Sequence, residues 1–87
     1  MTISVTGKGQ YTFEVVVTTQ STTTHSVTVS DAIHTKLTNG KISKETLLEK
    51  SFEFLLAREP NTSILSRFKI EVISQYFPDY LGAAGKW

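Results

Sequence analysis

The residues best suited to chemistry are two histidines, His25 and His34, and no cysteine accompanies them. A zinc or similar metal site draws three or four such ligands together. Asp31 and Glu14 could add oxygen ligands, but neither histidine has a ligand partner at i,i+4 on a helix. Both are expected to be surface histidines, and no metal or other cofactor is expected. Serine and threonine abound, yet none sits in a Gly-x-Ser-x-Gly elbow. A triad of His25, Asp31 and some serine would be assembled from chance neighbours. Glu49 and Glu53 share a helix face at i,i+4, but that face is the solvated one, and a catalytic acid needs burial to raise its pKa. Gly7 and Gly9 flank a lysine as in a phosphate loop, but no helix follows to supply a positive dipole end. These patterns predict a protein that is not an enzyme.

The elements that would carry a binding surface are clearer. Residues 2–30 are rich in Thr, Val and Ser, a composition suited to a pleated surface. Ile3 and Val5 alternate with polar neighbours, and Gly7 and Gly9 signal a turn. Tyr11, Phe13, Val15 and Val17 share one face, with Thr12, Glu14, Val16 and Thr18 on the other. After a polar connector at 20–24, Val27 and Val29 alternate with Ser26, Thr28 and Ser30. Two or three antiparallel strands are predicted.

The helical half begins at Ser30 or Asp31, either of which can cap. Ile33 and Leu37 lie one turn apart on a short helix that ends at Asn39-Gly40, with Gly40 as a left-handed cap. Ser43 caps the next helix, residues 44–59. Its apolar stripe is Leu47, Leu48, Ser51, Phe52, Leu55 and Leu56. Phe54 falls at the margin, where a C-terminal segment or a second chain would cover it. Pro60 closes that helix. Asn61 or Thr62 restarts the chain, with Ile64, Leu65 and Phe68 inward. Residues 68–77 fit two short helices, since Phe68, Val72 and Tyr76 recur at helical spacing; an alternating strand at Phe68, Ile70 and Val72 is the other option. Tyr76, Phe77 and Tyr80 around Pro78 would seal a small core or anchor an interface. The fold class is therefore α+β: a two- or three-stranded antiparallel sheet followed by three or four helices packed on one face. Residues 1–80 form one domain, and 81–87, which lack periodicity, a disordered tail.

The totals agree with this. A chain of 87 residues makes one domain with a thin stability margin. Nine basic residues against eight acidic ones give a net charge of +1, so no global field draws the chain to nucleic acid or to anionic membrane. No cysteine, no apolar leader and no long apolar run predict a cytoplasmic protein without a membrane span.

Two resemblances follow from these motifs. The stretches Ser51 to Leu56, Glu59 to Leu65 and Ile73 to Tyr80 resemble a small family of bacterial proteins of uncharacterised function. Its members share a Ser-Phe-Glu-Phe-Leu-Leu helix, a Glu-Pro-x-x-Ser-Ile-Leu link and an Ile-Ser-x-Tyr-Phe-Pro-x-Tyr ending. The likeness covers residues 11–80 and implies a bacterial source but no activity. Relatives often carry an acidic residue where this chain has Lys69. The order strand–helix–helix over residues 25–54 also partly resembles ribbon-helix-helix DNA-binding proteins. That likeness implies a reading strand with Ser26, Thr28 and Ser30 outward and a phosphate clamp at Ser43-Lys44-Glu45. Its reading face has no Arg or Lys, although bidentate Arg is the commonest specific base contact. A preceding apolar strand would also pair with it in cis.

The leading expectation is a non-enzymatic binding or protein-interaction module whose partner is another protein or a second copy of the chain. The expected surface comprises Glu14, His25 and Thr28 on the sheet, Lys41 and Lys44 at the start of the long helix, and the aromatic anchors Phe54 and Tyr80. The alternative is an antitoxin-like DNA-binding regulator of ribbon-helix-helix type using Thr28, Lys41 and Lys44.

Overall fold

The computed structural model describes residues 2–87. Strands β1 (Thr2–Gly7), β2 (Thr12–Thr18) and β3 (Thr22–Thr28) form an antiparallel meander. Strict alternation dictates the faces: Phe13, Val15, Val17 and Val27 point inward and are buried. Helix α1 (Asp31–Thr38) follows, capped by Ser30, whose hydroxyl accepts from the Ile33 N–H. It ends where Asn39 takes a left-handed conformation with φ of 55°, followed by Gly40 at φ 73°. The left-handed C-cap expected of glycine is thus occupied by asparagine, one of the few other residues that tolerate it.

Helix α2 (Lys44–Leu56) starts at Ser43, which accepts from the Thr46 N–H at 3.1 Å. Its buried residues are Leu47, Leu48, Ser51, Phe52, Phe54 and Leu55. The stripe roofs the sheet, and each fully buried Leu or Phe contributes about 1.5–3 kcal/mol. A 3-10 turn (Asn61–Ser63) leads to β4 (Arg67–Lys69), then α3 (Val72–Tyr76) and α4 (Tyr80–Ala84).

The sheet corrects the expected strand count. It has four strands in the order β1-β2-β3-β4, and β4 runs parallel to β3. The two readings of residues 68–77 are both partly met: Phe68 lies in a strand and Val72 and Tyr76 in a helix. Only Phe68 of the three β4 residues turns inward, which is why alternation alone could not reveal it. Nor is the region from 81 onward a loose tail. It completes α4, with Ala84 buried and Trp87 stacked edgewise on Tyr80 at 5.8 Å. Tyr80, Ala84 and Trp87 follow i, i+4, i+7 spacing, a pattern hidden when the segment is taken to begin at Leu81. No helix among the described residues is long and apolar enough to cross a membrane.

Candidate interaction surface

The outer face of the sheet carries no buried residue. The register sets its side chains in rows across the strands: Thr2, Thr18 and Thr22; Ser4, Val16 and Thr24; Thr6, Glu14, Ser26 and Arg67; Thr12, Thr28 and Lys69. Hydroxyls dominate, with Glu14 in the centre and two cations along β4. Glu14 and Thr28 are diagonal neighbours here, both half-buried.

His25 is not on this face. The expectation of a surface histidine is overturned, because His25 shares parity with Val27 and is 2% exposed. Its Nδ1 lies 2.7 Å from the Leu65 carbonyl, so Nδ1 carries the hydrogen and donates. Its Nε2 lies 2.8 Å from the Thr23 hydroxyl, and the ring rests against Phe52 at 5.3 Å. Both nitrogens are occupied, leaving neither for a metal or for proton transfer. Next to it, Asn61 is 3% exposed. Its Nδ2 donates to the Ser21 carbonyl at 3.0 Å and the Thr23 hydroxyl at 3.1 Å, and lies 3.4 Å from the Val17 carbonyl. The Thr19 hydroxyl donates to its Oδ1 at 3.2 Å. This network ties the β2–β3 turn to the segment that feeds β4. Asn61 was legible only as a cap candidate; a polar residue between Pro60 and an apolar Ile-Leu pair gives no hint of burial.

The remaining candidates separate. Lys44 pairs with Asp31 and lies 5.1 Å from the Tyr11 ring centroid, so its charge is already engaged. Lys41 is exposed in the α1–α2 turn, and His34 Nε2 donates to the Ile42 carbonyl at 2.6 Å. Phe54 and Tyr80 belong to the core rather than to a surface. Phe54 is covered by the chain's own C-terminal segment, edge-on to Phe77 at 6.0 Å and Tyr80 at 5.4 Å. Arg58 stacks over it at 3.5 Å and bonds Asp79 at 2.9 Å. Ser51 donates to the Leu47 carbonyl at 2.7 Å, so the Tyr80 hydroxyl, also 2.7 Å away, must donate to Ser51. Burial pushes the Tyr80 phenol up to about 12.

Of the residues expected to read DNA, Lys44 is paired with Asp31, Lys41 is exposed and Thr28 is half-buried. Strand β3 is paired on both sides, by β2 and β4, so it has no free edge with which to form a two-chain ribbon. Among the described residues no group of three or more metal-ligating side chains converges.

A second feature lies beside β4. The C-terminal half of α2, the 59–65 segment, β4 and α3 enclose an apolar groove of about 310 Å³. Leu65, expected inward, is instead 48% exposed at its rim, and Tyr76 is 66% exposed. Fold and surfaces together define a small α+β domain whose helices cover the inner face of the sheet and leave the outer face open. Compared with family models, curated proteins and solved structures, the chain matches none.

Proposed function

We propose that this chain is a non-enzymatic protein-interaction module that works through its sheet, with another protein or a second copy as partner. One observation carries the reading. Every helix lies on one side of the sheet, leaving a hydroxyl-lined face in register and two unpaired edges. Such a face offers many hydrogen bonds and little apolar area, which suits a reversible contact. Glu14 lies in the middle of it and Thr28 in its end row. Its setting is the cytoplasm, in keeping with a chain that has no cysteine.

The test is to reverse the face. Glu14→Lys with Thr28→Lys changes half-exposed side chains without touching the core. Sedimentation across a concentration series, together with affinity capture from the source cell, compares this variant with the native chain. Loss of the dimer or of a captured protein in the variant supports the reading. An association unchanged by both substitutions would remove the outer face from it, and a monomer that captures nothing would end it.

A further inference from the structure

We propose that the free edge of β4, beside the apolar groove, receives an extended segment of a partner protein in which acidic and apolar side chains alternate. The inference rests on the reading of the chain as an interaction module and names the partner's chemistry.

The backbone supplies the first half. The Ser26 N–H donates to the Ser66 carbonyl at 2.8 Å, and the Ile70 N–H to the Thr28 carbonyl at 3.0 Å. In a parallel ladder the N–H and C=O of one residue point the same way and alternate along the strand. Residues 66, 68 and 70 therefore bond toward β3, while the N–H and C=O of Arg67 and Lys69 project off the sheet's edge. An added strand would find those groups unpaired, the condition for recognition by strand addition.

The side chains supply the second half. Residues opposite one another in neighbouring strands share a face. A partner residue opposite Phe68 would enter the groove among Leu55, Ile64, Leu65, Val72 and Tyr76. Its neighbours in sequence, opposite Arg67 and Lys69, would emerge on the outer face beside those cations. Both cations are exposed, and neither is in an ion pair among the described residues. The matching pattern is acidic–apolar–acidic. The same charges argue against a second copy in this position. Two β4 strands antiparallel about Phe68 would set Arg67 opposite Lys69 of the other copy, a like-charge pair that disfavours the contact. The β1 edge offers no comparable choice, because its six residues carry no charge.

Three synthetic heptapeptides test this: alternating glutamate and leucine, alternating lysine and leucine, and the glutamate–leucine composition with its leucines contiguous. Binding is followed by fluorescence polarisation at low and high salt, and by shifts of assigned amide resonances. The alternating acidic peptide is expected to bind at least tenfold tighter than the other two, to weaken with salt, and to shift the Arg67 and Lys69 amides. Arg67→Glu with Lys69→Glu, at exposed positions, should invert the preference toward the lysine peptide. Equal binding of all three peptides, no binding, or shifts confined to β1 would overturn the inference. A partner lost on reversal of Glu14 and Thr28, in a chain indifferent to every peptide, would overturn the β4 site alone and leave the module reading intact.

Discussion

Replacing Asn61 by alanine should destabilise the protein far more than its place in a connecting segment suggests. The amide's two hydrogens serve the Ser21 carbonyl at 3.0 Å and the Thr23 hydroxyl at 3.1 Å. Each such bond contributes about 0.5–1.5 kcal/mol net, and a buried partner left unsatisfied costs about 1–3 kcal/mol. The Thr19 hydroxyl can turn to water, since residue 19 is exposed. The Thr23 hydroxyl keeps His25, and the Ser21 carbonyl keeps the Thr19 N–H at 2.9 Å. The loss should therefore stay at about 3 kcal/mol, equivalent to roughly 12–24 °C in Tm for a domain of this size. Urea and thermal unfolding followed by circular dichroism measure it. Thr19→Val, which removes the outermost bond of the network and two long contacts to Ser21 at 3.4 Å, should cost less than about 1 kcal/mol. A loss under about 0.5 kcal/mol for Asn61→Ala would refute the idea that this network fastens the β4 segment to the hairpin.

Other consequences are equally direct. The raised Tyr80 phenol means that the native state holds its proton after the unfolded chain has lost it. Its stabilisation is complete below pH 10 and declines by about 3 kcal/mol as the pH climbs to about 12. Tyr80→Phe should flatten that decline in unfolding measured against pH. Ser43→Ala should cost about 1 kcal/mol through loss of the α2 cap, and Ser43→Gly only a few tenths; denaturant midpoints distinguish them. Nitrogen-15 resonances of His25 should show the hydrogen on Nδ1, and a hydrogen on Nε2 alone would contradict its bond to the Leu65 carbonyl.

Much of the architecture was written locally. The parity of Phe13, Val15 and Val17, the caps at Ser30 and Ser43 and the stripe from Leu47 to Leu55 each follow from periodicity within one element. What escaped depended on distant partners. Strand β4 has three residues and pairs parallel with β3, so neither a hairpin turn nor sustained alternation announces it. His25 looked solvent-facing because of its residue type, although its step of two from Val27 placed it inside. Phe54 and Tyr80 looked like anchors because the segment that covers Phe54, residues 77–87, shows no helical period when taken from Leu81 onward. Glu14 and Thr28 fall on the outer face by parity alone. Arg67 and Lys69 gained meaning only once the strand between them was located.

The sheet's termination at β4 is tested most directly by amide hydrogen exchange in the free protein, dilute and concentrated. The Arg67 and Lys69 amides should exchange as fast as a loop's at both concentrations. Phe68 and Ile70, bonded toward β3, should be slower by orders of magnitude. Slow exchange at Arg67 and Lys69, or protection that grows with concentration, would mean that another strand already covers this edge.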